Sequence, residues 1–582
     1  MVNSSLRTLL FFIFTLLLGH GNILELEASG HHHHYQQHQP YRTGYHFQPT
    51  KNWMNGPMIY KGIYHLFYQY NPYGAVWGNI VWAHSTSTDL INWTPHEIAL
   101  TPSEPASDNH GCWSGSATIL PEGKPAMLYT GLIDSQEKQV QNLAMPKNVS
   151  DPYLKEWFKY KNNPILSAPK PINETLFRDP STAWLGPDKR WRMIIGSLID
   201  NKEGLVLLYT SNDFKHWIKA KDPLLSEKHT GMWECPDFFP VSTIDQNGVD
   251  TSIFGQNVKH VLKISLFDYH RDCYTIGTYD VNKDKFAPEE GSVGDVPGLR
   301  YDYGKFYASK SFFDSANNRR ILWAWVNESS SWGDDIKKGW SGLQAIPRSL
   351  WLDKSGKQLV QWPIVEIESL RENQVDLPSK FLEGGSLLEI SGVIAAQADI
   401  EISFEITELD KAEVLEPNWI DPQLLCSQKG ASVKSAFGPF GLLVLASKDL
   451  QEYTAVFFRI YKSQDKYVVL LCSDQSSSSL NNKNDKTSYG AFLDVDPVHE
   501  QLSLRSLIDH SIVESFGGEG KACITARVYP TLAIENDAHL YAFNYGTEKV
   551  KLSSLTAWSM KKAQINIANP IKRGVSDKNI KF

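Results

Sequence analysis

The 582-residue chain is poor in several features that would make its function easy to read. It has 6 cysteines, too few to staple a disulfide scaffold. No cluster of Lys and Arg is interleaved with aromatics, and the formal net charge is −8, which argues against nucleic acid as a partner. Beyond the N-terminal region no apolar run is long enough to span a bilayer, so no membrane partner is expected. Long stretches with a 3.6-residue apolar period are missing too, which leaves little room for helix bundles. There is no sign of a metal-ligand set or a cofactor-binding motif, and none is expected. The stretch KNWMNGPMIY (Lys51–Tyr60) has the turn chemistry of a site but holds no carboxylate.

The chain is 42% hydrophobic and carries 18 Trp, 25 Tyr and 26 Phe. That is enough to bury large cores in two or more domains. So many aromatics suit a ligand with flat apolar faces and many hydroxyls, such as a sugar; a large β-rich core explains them equally well. At the N-terminus, Arg7 precedes the apolar run Leu9–Leu18, and small residues follow at Ala28-Ser29-Gly30. This is the pattern of a secretory signal in residues 1–30, and it makes the mature protein an exported one. The run His31–His34 beside it reads as a polar tail rather than a metal site. Asn-x-Ser/Thr sequons at Asn92, Asn148, Asn173 and Asn327 point with the signal to a glycoprotein. Cys426 and Cys472 both sit in strand-like contexts, LLCSQ and LLCSD, and could pair in an oxidising compartment.

Internal repeats carry the architecture. TSTDLINW (Thr86–Trp93), SDPYLKEW (Ser150–Trp157) and TSNDFKHW (Thr210–Trp217) share an Asp, then an apolar residue, then a closing Trp. Short β-rich runs recur at Tyr64–Tyr68, Ala126–Thr130, Trp191–Ile195, Val261–Ser265 and Ile321–Trp325. The pattern predicts an all-β chain with a five-bladed β-propeller over residues 40–370. From Leu387 the chain alternates apolar and polar residues, which predicts a β-sandwich over residues 380–565. Within it, Asp509-His510-Ser511 and Glu514 look like a catalytic relay. Adjacent strand residues point to opposite faces, however, so a structural role is expected.

Each β-rich run from the second to the fourth is preceded by a polar-aromatic motif: Cys112-Trp113-Ser114-Gly115-Ser116, Phe177-Arg178-Asp179-Pro180 and Trp233-Glu234-Cys235-Pro236-Asp237. Equivalent positions in successive blades converge on the propeller axis. Asp179 and Glu234 should therefore face a common funnel with Trp113 nearby. Two carboxylates in an aromatic pocket are the parts of a glycosidase, one protonating the leaving oxygen and the other attacking or activating water. The setting of Glu234 suits a raised pKa and a general acid. Arg178 beside Asp179 reads either as a cation keeping that carboxylate ionised at the site or as a structural salt bridge.

The segments YRTGYHFQPTKNWMN, CWSGSAT, FRDPSTAW, MWECPDFFPV and RYDYGKFYASK resemble the plant cell-wall invertases and fructan exohydrolases of glycoside hydrolase family 32, from about Gln39 to Met560. The resemblance implies a five-bladed propeller with a C-terminal β-sandwich and retaining hydrolysis of fructofuranosyl bonds. It implies an Asp nucleophile, Glu234 as acid/base and Asp179 as the carboxylate that binds fructose hydroxyls. Trp53, Trp77 and Trp113 would form an aromatic wall. Gln69 and Ser114 would hydrogen-bond the sugar, and Met54, Asn55 and Arg178 complete the substrate-binding set. Pro236 resembles the cell-wall branch. The resemblance also makes Cys426–Cys472 the expected disulfide. It implies sucrose or fructan as substrate, a proteinaceous invertase inhibitor and cell-wall polysaccharide as partners, and an apoplastic or cell-wall location.

Two departures from the family pattern stand out. The family motif runs Trp-Met-Asn-Asp-Pro-Asn-Gly, and its Asp is the nucleophile; here Trp53-Met54-Asn55 is followed directly by Gly56. The missing Asp-Pro-Asn fits a skipped small exon, a gene-model error or a true loss. Asn55 is neutral and cannot replace the attacking carboxylate, so little or no turnover is expected. A sugar-binding sensor or an inhibitor decoy is the alternative function. The second departure is at Phe267 and His270, where invertases carry an Asp and a Lys that hold the glucose half of sucrose. Their absence favours a fructan exohydrolase ancestry, unless Asp268 partly substitutes.

Overall fold

The computed structural model describes residues 39–49, 51–55, 58–103, 107–294, 298–464 and 466–565, without the side chains of residues 52–58. The secretory segment expected in residues 1–30 and the His31–His34 run lie outside the described residues.

Each of the five β-rich runs is the second strand of a separate antiparallel sheet: Ile63–Tyr70, Lys124–Leu132, Trp191–Ile199, Val258–Leu266 and Arg319–Val326. The polar-aromatic motifs form the strand before it, nearest the axis. These inner strands are Asn52–Asn55 with Met58–Tyr60, Gly111–Leu120, Phe177–Arg178 with Trp184–Leu185, Trp233–Ser242 and Phe306–Asp314. The ring of five blades closes where Trp340–Ser341, following the fifth blade's second strand, pairs in parallel with Asn52–Trp53. A cavity of about 310 Å³ runs along the axis, touched by Ser114, Thr182, Cys235 and Ala308 from different blades.

The Trp repeat is one turn used three times. Trp93, Trp157 and Trp217 each donate their indole N–H to the carbonyl three residues back, at Leu90, Leu154 and Phe214. Those three residues have positive φ, at 64°, 45° and 65°. Left-handed backbone is costly for an apolar side chain. Here Asp89, Asp151 and Asp213 offset it by accepting backbone N–H groups within the same turn, and the buried Trp rings lock it against the blade.

Blade one also buries a histidine stack. His65 and His84 lie parallel at 5.2 Å with a ring-nitrogen contact of 3.0 Å. Phe67 stacks on His84 at 4.2 Å, and His96 adjoins at 4.9 Å. Burial, and after it the neighbouring cationic forms, pushes His65 and His96 down to about 4 and His84 well below its usual range. The unfolded chain takes up these protons near pH 6.5, whereas the folded chain refuses them until about 4. The stacked histidines therefore contribute stability that is fully present above pH 6.5 and lost as pH falls toward 4. His260, held down to about 3 by burial, acts in the same direction. The unfolding midpoint should drop over that window, and the double variant His65→Phe/His84→Phe should flatten the slope in calorimetric scans.

The C-terminal part forms two seven-stranded sheets packed face to face. Their inner faces supply a continuous apolar core that includes Ile400, Phe404, Phe440, Phe458, Val513 and Ala557. Cys426 and Cys472 are bonded. Only Cys472 lies on a strand, however. Cys426 is on the helix Pro422–Gln428, because Asp421 caps it by accepting from Gln423 and Leu424 N–H and Pro422 opens its first turn. Strand-like apolar neighbours had hidden that start signal.

The relay-like residues tie the segment Tyr41–His46 to the sandwich and to blade five instead. Asp509 accepts from the backbone N–H groups of Gly44, Tyr45 and His46 and meets His46 Nδ1 at 2.8 Å. Glu514 links His46 Nε2 to Arg348 of blade five. His510 turns to Gln397, and Ser511 donates to the carbonyl of Tyr41. The Asp, His and Ser side chains thus go to three different partners, as strand alternation requires.

Candidate active-site funnel

Four of the five inner strands carry extra residues where they reach the funnel floor. In blade two, Trp113 and Ser114 stand opposite the single residue Thr130. In blade four, Cys235 and Pro236 oppose Ile264, and in blade five Ala308 and Ser309 oppose Ala324. In blade three the five residues Asp179–Ala183 oppose the three residues Met193–Ile195. Each bulge twists the strand and turns side chains inward that a regular pleat would point sideways. Positive φ at Asp179 (67°), Cys235 (44°) and Ala308 (54°) marks these reversals. Gly115 follows the bulge of blade two because a Cβ there would lie 1.9 Å from the Leu128 carbonyl.

Blade one reverses the count. Asn55 pairs with Gln69 and Met58 with His65, so between these two pairs the inner strand has two chain positions and its neighbour has three, Leu66–Tyr68. The backbone of Trp53, Met54 and Asn55 forms the strand, but their side chains lie outside the described residues.

The other sequence-derived residues converge. Glu234 accepts from Arg178 Nε at 2.9 Å and from the Tyr307 hydroxyl at 2.6 Å. Burial raises its carboxyl pKa, Arg178 opposes that, and Asp179 adds to it. Asp179 is buried; its N–H donates to Thr130 Oγ1, and its Oδ2 accepts from the Cys235 N–H at 2.9 Å. The two carboxylates thus sit on neighbouring blades, tied through the bulge that follows Glu234. The Arg178–Asp179 salt bridge considered from sequence is not among the described contacts. The reversal at Asp179 sends its carboxylate toward Cys235, while Arg178 pairs with Glu234.

Gln69 Nε2 donates to Ser114 Oγ at 2.6 Å. Trp77 and Trp113 meet edge to face at 5.2 Å, with Trp77 half exposed as a wall of the mouth. Phe267 lies 5.7 Å from the Arg178 guanidinium, and His270 packs on Tyr307 at 5.3 Å. Asp268 turns its carboxylate against Gly231. Tyr307 is the residue that sequence reading missed. It lies within the RYDYGKFYASK motif, and the one available signal was that a fifth blade should also present a residue to the axis. Among the described residues, no group of three His, Cys, Asp or Glu is arranged to hold a metal.

Of the sequons, Asn148 and Asn173 are exposed in turns. Asn92 is tied by its side-chain amide to Asp89, and Ser329 of the Asn327 sequon is buried.

The model of the glycosyl hydrolases family 32 N-terminal domain matches residues 46–363, and that of the family 32 C-terminal domain matches residues 366–559. A β-fructofuranosidase, insoluble isoenzyme, of Arabidopsis thaliana is 61% identical over 96% of this chain and 98% of its own length. A fructan 6-exohydrolase of Beta vulgaris is 64% identical over 91% of this chain and 88% of its own. The crystal structure of fructan 1-exohydrolase IIa from Cichorium intybus superposes with a TM-score of 0.88 at 55% identity, covering 91% of this chain and 99% of that one. A Glu-to-Gln variant of the same enzyme has been solved in complex with 1-kestose.

Proposed function

Because the chain belongs to glycosyl hydrolase family 32, we propose that its funnel takes the terminal fructosyl unit of a fructan or of sucrose, and that the chain as it stands hydrolyses it with little or no turnover. The register of blade one carries this reading. It is the single blade whose inner strand is short at the funnel floor, and the family motif places the nucleophile there.

The acid half of the reaction is built. Glu234 is the acid/base: burial favours its protonated form, and Arg178 and Tyr307 fix the direction of its carboxyl. It would protonate the leaving glycosidic oxygen and later take a proton from water. Asp179 is the fructose-binding carboxylate, with one oxygen committed to Cys235 N–H and the other available to sugar hydroxyls. Trp77 and Trp113 form the apolar wall, while Gln69 and Ser114 contribute polar contacts. Trp53, Met54, Asn55 and Arg178 complete the binding set.

Phe267 and His270 favour fructan over sucrose. An apolar ring and an imidazole line the mouth where an Asp and a Lys would hold glucose. The Beta vulgaris and Cichorium intybus relatives are named fructan exohydrolases, and the Arabidopsis relative an insoluble β-fructofuranosidase. A cell-wall isozyme of Pisum sativum, 64% identical, supports secretion to the cell wall, where wall polysaccharide and an invertase inhibitor are the further partners. A funnel that binds without cutting would serve as a fructan or sucrose sensor, or as a decoy for that inhibitor.

The test is calorimetry with 1-kestose and sucrose beside a fructose-release assay on sucrose, levan and inulin. Binding with no release above a heat-killed control is the expected result. Release at a rate matching a chain with Asp-Pro-Asn restored would overturn the loss of turnover, and absence of any binding would overturn the funnel assignment.

A further inference from the structure

On the other side of Tyr307 from Glu234, the propeller and the sandwich leave a cleft of about 300 Å³. Arg271 and Arg300 stand in it side by side. Among the described residues neither has an ion-pair partner or a side-chain hydrogen bond, and Arg300 Nε is buried without a partner. Each guanidinium instead lies by a tyrosine ring, Arg271 at 5.9 Å from Tyr269 and Arg300 at 5.5 Å from Tyr303. Burial depresses the Arg271 pKa, and the neighbouring Arg300 charge depresses it further.

The other charges around the cleft are already neutralised. Lys305 pairs with Asp485 at 2.6 Å, and Asp302 belongs to Arg348 at 2.9 Å. Asp421, the carboxylate whose field reaches Arg271, is engaged in capping Gln423 and Leu424 N–H. Two guanidinium groups without an ion-pair partner among the described residues are thus held together, half-buried, in a chain whose net charge is −8. Such a pair repels itself and has lost part of its hydration. An oxyanion relieves both costs, because the planar guanidinium fork matches two oxygens of a phosphate or carboxylate.

Tyr307 stands between the cleft and the funnel: it lines the cleft beside His270, and its hydroxyl donates to Glu234. We propose that Arg271 and Arg300 form an oxyanion subsite that holds a phosphate or carboxylate carried by a saccharide whose neighbouring unit occupies the funnel. The inference rests on the funnel's being a sugar site.

The full chain at low ionic strength should be titrated with inorganic phosphate, fructose 6-phosphate, a digalacturonate and, separately, 1-kestose. Phosphate should bind, and the double variant Arg271→Gln/Arg300→Gln should weaken it tenfold or more while 1-kestose affinity and the unfolding midpoint hold. The milder Arg300→Gln, on a half-exposed side chain, should show a partial loss if the double variant folds poorly. Whichever of the sugar phosphate and the uronate binds tighter than inorganic phosphate, and loses that advantage in the variant, identifies the source of the anion. Phosphate binding that is absent, or unchanged in both variants, overturns the subsite. If 1-kestose binds and phosphate does not, the subsite alone fails; if neither binds, the funnel reading fails with it.

Discussion

Inserting Asp-Pro-Asn between Asn55 and Gly56 should raise fructose release from fructan by roughly 10,000-fold or more over the chain as it stands. Loss of a single attacking residue costs hydrolases on that order, because binding and electrostatics alone supply only a residual rate. The register makes the size of the insert meaningful. Blade one now sets two residues against three at the funnel floor. Three more residues would make it five against three, the count of blade three. In blade three the first of the five is Asp179, and in the restored blade the first would again be Asp. The insert would thus supply a carboxylate and also the bulge that aims it. A single Asn55→Asp substitution offers the charge without the bulge, and an extended chain short by three residues loses about 10 Å of reach. That variant should stay at least roughly 100-fold below the restored chain if aim matters as much as charge. Equal rates for the two would show that charge alone was missing.

In the restored chain, Glu234→Gln should lower kcat by roughly 100- to 10,000-fold, the usual worth of a general acid/base. Calorimetric affinity for 1-kestose should hardly change. Gln keeps an acceptor for Arg178 or Tyr307, so the wall and floor of the funnel are preserved, but it has no proton to give. The pH profile is the sharper readout. The protonated carboxyl is the active form in the first step, and burial raises its pKa above the ordinary Glu range. Activity should therefore fall as pH rises through that raised value, and the Gln variant should lose this basic limb. A variant that keeps the limb would assign the acid to another residue.

Much of this arrangement was legible in the chain itself. The five β-rich runs give the blade number, and the Asp-apolar-Trp turn, which ends the third strand of blades one to three, marks their common spacing. The sequence placed Glu234, Asp179, Trp113 and Ser114 at equivalent blade positions, and the structure brings them together. The partner of Arg178 was not legible. Neighbours in sequence suggested Asp179, but the left-handed backbone at Asp179 sends the two consecutive side chains to different partners on blade four, Arg178 to Glu234 and Asp179 to the Cys235 N–H. Tyr307 was hidden for a similar reason: its hydroxyl meets Glu234 only after a bulge in one blade faces a bulge in the next.

The sequence by itself determined the composition of the site and what is missing from it. The absence of Asp-Pro-Asn is a property of the chain, and local turn chemistry with its apolar period is enough to define a blade. Only the tertiary structure decided the pairings: Arg178 with Glu234, Asp179 with Cys235, Asp509 with the segment Gly44–His46, and two arginines with no counter-ion among the described residues. These depend on strand register between blades and between domains. Register is set by the whole packed ring, since one residue of offset on an inner strand redirects every side chain beyond it.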